Sequence, residues 1–129
     1  MPSSFTLRQA RDLVPALCQH VSRLTVLRAD LVEAQAALQR GDRPAVGGLL
    51  PEVKALGARL QESIDWFEAR GIQLKGIAPV IVDFSSWLDG RPVLLCWLEG
   101  ETSLDWYHRP DLGFMARRRL PDAHPQGPA

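Results

Sequence analysis

The chain has 129 residues, 46% hydrophobic and 23% charged, which is typical of one soluble globular domain. Fifteen Lys and Arg residues balance fifteen Asp and Glu residues, so the charge argues against an overall fit to nucleic acid. No apolar run reaches the roughly 18 residues of a membrane-spanning helix, and the start of the chain does not resemble a secretory signal. Two cysteines do not make a disulfide framework, so we expect a cytoplasmic protein.

The first half of the chain has the pattern of a long helix. Thr6 and Gln9 have the spacing of a capping box, which marks a helix start. Pro15 removes a backbone donor, so we expect a kink there, with the main helix over residues 15–40 and a left-handed stop at Gly41. Four leucines spaced seven residues apart are typical of a coiled-coil seam: Leu17, Leu24, Leu31 and Leu38.

A second helical pattern covers residues 53–67 and ends at Gly71. Its start has two interpretations, because Gly47, Gly48 and Pro51 interrupt the preceding segment. Either a short helix over residues 43–49 precedes the main one, or a single helix is kinked. The short connection to the first helix predicts an antiparallel helical hairpin over residues 5–71.

The rest of the chain favours β-structure. Short apolar segments separated by turn signals at Asp89-Gly90 and Glu99-Gly100 predict a three-stranded antiparallel meander, with strands at residues 79–84, 91–98 and 102–108. The middle segment has no polar face, and no further element is available to cover its second face.

We therefore expect a homodimer of the α+β class. Each copy would be a single domain over residues 1–120, in which the meander and a C-terminal loop occupy residues 72–120. The proline-rich segment 121–129 is predicted to be a disordered tail.

The strand half carries a resemblance to a known family. The segments LKGIAPVIVDF, DGRPVLLCWLEGE and WYHRPDLGFMARR, with the opening FTLRQARDLVPAL, resemble a bacterial family, the domain-of-unknown-function 2203 family. The resemblance covers most of residues 5–120 and implies an architecture but no activity. This chain departs from the family pattern in having Tyr107 directly before the histidine and Trp106 one position earlier. The matching positions are Asp83, Phe84, Asp89, Gly90, Arg91, Leu95, Cys96, Trp97, Gly100, Glu101, His108, Gly113, Phe114 and Arg117.

No CxxC, HExxH, GxSxG, phosphate-loop or GxGxxG motif is present, so candidate residues have to be found individually. Glu101, His108 and Arg117 at the edge of the last strand could bind an anionic ligand or share a proton, because histidine changes charge near neutral pH. Trp97 and Trp106 are candidate walls of such a pocket. The alternative is that these residues have only structural roles. Glu101 would then cap a turn, His108 would bond to a backbone carbonyl, and Arg117 would pair with a carboxylate.

Metal binding has weaker candidates. His20 lies on the apolar seam of the first helix, and His108 and Glu101 are further candidate ligands. Cys96 lies in an apolar strand, where a free cysteine behaves as a small hydrophobic residue. No cofactor can be named from these residues.

Two functions stay open at this point. The long heptad pattern and the lack of a catalytic motif favour a non-enzymatic, dimeric interaction module with a protein partner. The alternative is a protein that binds a small ligand or a metal around Glu101, His108 and Arg117 and could be an enzyme. The basic run at residues 117–119 makes nucleic acid a distant third, given the zero net charge.

Overall fold

The computed structural model describes residues 4–42 and 48–121 as an α+β fold in which helices are followed by an antiparallel sheet. The helices of the described part are α1 (Leu7–Asp12), α2 (Val14–Arg40) and α3 (Leu49–Ala69). The strands are β1 (Gln73–Ile77), β2 (Val80–Leu88), β3 (Arg91–Leu98), β4 (Trp106–His108) and β5 (Arg118–Arg119), and each pairs with the next along the chain.

The start of the helical half follows the sequence closely. The Thr6 hydroxyl accepts a hydrogen bond from the Gln9 amide at 3.0 Å, and the Gln9 side-chain oxygen accepts one from the Thr6 amide at 2.9 Å. The predicted kink is a break at Leu13, between α1 and α2. Pro15 therefore falls in the first turn of α2, where its missing N–H removes no intrahelical bond.

The two long helices form the predicted hairpin, because α2 and α3 pack along each other. Gly41 ends α2 with a φ of 74°, a left-handed conformation that favours glycine. α3 starts at Leu49 and has Pro51 in its first turn, which fits a main helix that begins near that proline. A short helix over residues 43–49 would fall mostly on residues 43–47, outside the described residues, as does most of the predicted tail.

The prediction of three strands was wrong, because the described sheet has five. β1 escaped prediction because its sequence QLKGI does not alternate, and the pairing with β2 shifts between Leu74 and Gly76. β5 is two arginines long, and its sequence resembles a solvated charged run. The Asp89-Gly90 turn is as predicted, since both residues have positive φ (52° and 76°), the geometry of a tight hairpin.

The register of β2 against β3 sorts side chains onto two faces. Val82 pairs with Trp97 and Phe84 with Leu95, and these four side chains face the helices and are buried in the core. The helices contribute fully buried residues to the same core, among them Leu17, Leu24 and Phe67. The intervening residues of each strand point to the opposite face, which we call the outer face.

An ion pair ties α2 to this hairpin. Arg28 Nη1 lies 3.0 Å from Glu99 Oε1, and the same oxygen accepts a hydrogen bond from the Val80 amide at 2.9 Å. Both contacts favour the charged carboxylate and hold the pKa of Glu99 below its usual value, with the hydrogen bond from Arg28 as the largest cause.

The homodimer stays a prediction. It was expected partly because the sequence offers no further element to cover the second face of the middle strand, which is β3. Cys96 lies on that outer face and is nevertheless fully buried within the single chain. No helix of the described residues is both long and apolar enough to cross a membrane.

The core makes a prediction about stability. Leu24→Ala removes a side chain with no exposed surface and should lower the free energy of unfolding by about 2–5 kcal/mol. Val26→Ala on the same helix is the matched control, because Val26 is 59% exposed and its truncation should cost less than about 0.5 kcal/mol. Urea denaturation followed by circular dichroism measures both values, and equal losses would contradict the orientation of α2.

Candidate metal centre

Three polar side chains meet on the outer face of the sheet. Asp83 of β2 lies directly across from Cys96 of β3, and His108 of β4 pairs with Leu94, two residues along β3 from the cysteine. Because side chains alternate along a strand, Asp83, Cys96 and His108 project from the same face of three neighbouring strands. The antiparallel pairing therefore assembles the cluster from positions 83, 96 and 108.

The cluster is compact and closed to solvent. A carboxylate oxygen, the thiol sulfur and an imidazole nitrogen all lie within 4.8 Å of one another. The exposed fractions of Asp83, Cys96 and His108 are 2%, 0% and 3%. Buried polar groups cost free energy unless they are paired, yet Asp83 Oδ1 is buried without a hydrogen-bond partner. The interactions of this carboxylate within the cluster are with His108, through Oδ2, and with the Cys96 thiol.

The second nitrogen of His108 explains how the ring is oriented. Nδ1 lies 2.8 Å from the Arg109 carbonyl oxygen, which can only accept, so Nδ1 carries a hydrogen and donates it. In a neutral imidazole Nε2 then presents a lone pair, and this atom faces Asp83 Oδ2 at 3.1 Å. Two lone pairs at that distance repel each other unless a cation, either a proton or a metal ion, accompanies them.

The thiol is held in its protonated form when no metal is bound. Burial is the main cause that raises the pKa of Cys96 to about 12, and the negative charge of Asp83 adds to it. The positive charge of Arg117 acts in the opposite direction. A metal ion at this position would replace the thiol proton, because thiolate is the form that binds metals.

Arg117 covers the cluster. Its Nη1 donates to both carboxylate oxygens of Glu101 at 3.0 and 3.2 Å, and Glu101 Oε1 also accepts from the Leu98 amide at 2.7 Å. The guanidinium carbon lies 4.7 Å from the ring centroid of Trp106 and 4.3 Å from that of Phe114. Cation–π contacts and the ion pair together fix this arginine in place.

The structure brings together some of the residues singled out in the sequence. Glu101 and Arg117 form an ion pair, and Trp106 lies against that arginine. The structural roles that the sequence analysis gave as the alternative for Glu101, His108 and Arg117 all occur. Glu101 accepts a hydrogen bond from a backbone amide beside the turn, His108 bonds a backbone carbonyl, and Arg117 pairs with a carboxylate. Ligand binding by the three residues stays a prediction.

Other candidates lie elsewhere. Trp97 is buried in the core on the inward face, because it is adjacent to Cys96 in a strand whose side chains alternate. His20 stacks on Trp66 of α3 with ring centroids 3.7 Å apart, and burial, together with the charges of Arg23 and Arg70, lowers its pKa. Within residues 4–42 and 48–121, the one group of three potential metal ligands is the cluster on the outer face, and of the suggested ligands it includes His108 alone.

Sequence reasoning missed Asp83 and Cys96 as site residues. The available signal was a lone carboxylate inside the apolar run PVIVDF, where a buried charge needs a partner. Identifying that partner requires the register of β2 against β3, which composition does not provide.

A comparison with protein-family models places the chain among known sequences. The model of an uncharacterised conserved protein family, DUF2203, matches residues 3–120. The chain belongs to this family. No curated protein and no solved structure matches it. The positions that carried the resemblance of this DUF2203 protein include Asp83, Cys96, Glu101, His108 and Arg117, and the fold brings these five together on the outer face.

The state of the buried thiol can be tested directly. In a Cys18→Ser variant, Cys96 is the remaining thiol, and its burial and raised pKa should make alkylation by iodoacetamide at pH 8 at least about 100-fold slower than in denaturant. The Cys96→Ser variant, which retains the partly exposed Cys18, is the matched control and should show a much smaller difference. Similar native and denatured rates for Cys96 would contradict the described cluster.

Proposed function

We propose that this protein binds one divalent transition-metal ion, zinc by preference, through Asp83, Cys96 and His108. The observation that carries the proposal is the convergence of three different ligand atoms within 4.8 Å in a buried site. Carboxylate oxygen, thiolate sulfur and imidazole nitrogen are the three protein donors that zinc uses.

The spacing of the donors supports this assignment. Zinc–ligand distances of about 2.0–2.3 Å in a tetrahedron put neighbouring ligand atoms roughly 3.3–3.8 Å apart. The donor atoms of the cluster are separated by 3.1 Å between Nε2 and Oδ2 and by at most 4.8 Å overall. Small side-chain adjustments would therefore bring all three to binding distance.

The surroundings of the ligands also support a metal. Histidine ligands commonly donate their other ring N–H to a backbone carbonyl, which fixes the free nitrogen toward the ion, and His108 makes this bond to Arg109. The mixture of one soft sulfur with nitrogen and oxygen donors favours zinc and its neighbours over calcium or magnesium, which prefer oxygen. Arg117 and Glu101 compensate each other, so the charge of Asp83 is available to the ion.

Three protein ligands leave one position of a tetrahedral ion for water or another small ligand. Sites that serve only structure are usually closed by a fourth protein ligand, and the cluster of the described residues contains three. Because all three ligands are buried, the fourth position would have room for a small ligand such as water at most, and the ion would polarise that ligand.

Metal titration tests the proposal on the full chain, made without a histidine tag and stripped with a chelator. Co²⁺ should bind one to one and produce a sulfur-to-metal charge-transfer band and the intense visible bands of a tetrahedral ion, and Zn²⁺ should displace it. Asp83→Asn, Cys96→Ser and His108→Gln should each weaken binding by about 100-fold or more, because a lost ligand costs at least as much as a lost supporting contact.

The chain offers matched controls for two of these variants. Cys18→Ser and His20→Gln remove the same residue types from outside the cluster and should bind the metal as the parent protein does. The proposal fails if the folded parent protein gives no charge-transfer band. It also fails if the control variants lose binding to the same extent. An ion pair between Asp83 and a protonated His108 would then account for the cluster.

The dimeric interaction module is a second candidate, and the exposed indole of Trp87 supports it. Trp87 lies on the outer face of β2, across from Pro92, and is 62% exposed, which is unusual for so large an apolar side chain. A second copy that packs on this end of the sheet would bury it.

Sedimentation equilibrium tests self-association at micromolar concentration. The parent chain should sediment as a dimer of the 14.3 kDa subunit, and Trp87→Ser should shift it toward monomer. Val26→Ser on α2, an equally exposed apolar residue, is the control and should leave the mass unchanged. A folded monomer for the parent chain would refute the dimer.

A further inference from the structure

A cavity of about 1040 Å³ lies at the end of the sheet where the β2–β3 turn meets the segment after β4. Its origin is a mismatch in strand length. β3 begins at Arg91, but β4 pairs with it only at Leu94, Leu95 and Cys96. Pro110, two residues beyond β4, has no backbone N–H with which to continue the ladder. The chain therefore leaves the sheet and forms a cavity, open to solvent on one side, beside the first residues of β3, which pair with β2 but not with β4.

The lining of this cavity carries more positive than negative side chains. Four arginines contribute to it against the single carboxylate of Asp89: Arg91 of β3, Arg109 and Arg117 from the segment between β4 and β5, and Arg118 of β5. The cavity is connected to the proposed metal site through Arg117, which also covers Cys96.

Two of these arginines lack a carboxylate partner. Arg109 pairs with Asp111 at 2.6 Å, and Arg117 pairs with Glu101 at 3.0 Å. Arg91 and Arg118 form no ion pair with any described residue. Guanidinium groups gathered around one cavity repel each other, and an anion placed between them would relieve this repulsion.

The chemistry of the lining specifies the ligand class. A guanidinium group presents its N–H donors in a planar fork that matches phosphate and carboxylate oxygens, and such charge-assisted bonds are about twice as strong as neutral ones. Leu88, Pro92 and Leu112 add apolar surface for an organic body. The cavity is as large as small-molecule pockets generally are, so it has room for an organic body beside the anionic groups.

We propose that this arginine-lined cavity binds a small organic molecule that carries several anionic oxygens, as phosphate groups or as neighbouring carboxylates. The proposal goes beyond metal binding and does not require it, because Arg91 and Arg118 lie outside the ligand set. The net charge of the whole chain is zero and does not indicate an anionic ligand, because the positive charge is concentrated locally around this cavity.

Calorimetric titration of the full chain with pyrophosphate and with citrate, at one fixed ionic strength, tests the proposal and separates the two sources of anionic oxygen. Saturable one-to-one binding of either probe is expected. The double variant Arg91→Gln/Arg118→Gln should weaken it about tenfold or more, because each arginine contributes a charge-assisted bond. The matched control Arg8→Gln/Arg23→Gln removes two exposed arginines from α1 and α2 and should change binding by less than about twofold.

A Cys96→Ser arm distinguishes this proposal from the metal site. The variant should lose Co²⁺ binding and retain the anion, so that either proposal can fail without the other. The anion proposal is overturned if neither probe gives saturable heat with folded protein. Equal weakening in both double variants would also overturn it, because binding would then depend on overall charge. Loss of anion binding in folded Cys96→Ser would overturn it as well.

Discussion

The pairing of β2 with β3 is the constraint on which the rest of this structure depends. With Asp83 across from Cys96, the neighbouring residues Val82, Phe84 and Leu95 point toward the helices and close the core. A slip of one residue would send the carboxylate into the core and an aromatic ring to the outer face, at a cost that no local rearrangement could offset. The apolar core therefore determines the register, and the register in turn assembles the polar cluster.

The cluster is costly for a protein of this size. A carboxylate, a thiol and an imidazole are removed from water together, and one carboxylate oxygen is left without a partner. Apolar side chains at these positions would avoid that desolvation cost, so the arrangement does not stabilise the fold in an obvious way. The proposed metal ion would resolve the difficulty, since it would bind the Nε2 lone pair of His108, an oxygen of Asp83 and the deprotonated sulfur of Cys96 at once.

Arg117 links the two proposed sites. Glu101 and the rings of Trp106 and Phe114 hold it in a single place, so its charge faces the thiol on one side and contributes to the cavity on the other. None of the three proposed metal ligands lines the cavity, so Arg117 is what the two sites have in common and each proposal depends on its own residues.

Local patterns in the sequence were sufficient for the parts of the fold that depend on near neighbours. The Thr6–Gln9 capping box, the left-handed Gly41 and the Asp89-Gly90 turn each involve a few adjacent residues. The break before Pro15 follows from its ring, which would clash with the carbonyl of Arg11 in a continuous helix. The same reasoning failed for β1 and β5, because short, irregular edge strands are defined by the neighbour they pair with and have no alternation of their own.

The candidate site divides in the same way. The sequence alone indicated the segment that holds Glu101, Trp106 and Arg117, because charged and aromatic residues there follow a strand and a turn. It could not indicate that Asp83 and Cys96 meet His108, since residues up to 25 positions apart become neighbours only through strand pairing. The sequence by itself therefore determined which side chains carry chemistry and how the chain turns locally. Which of these side chains meet across the sheet was decided by the tertiary structure, because the packed core sets the pairing of distant strands.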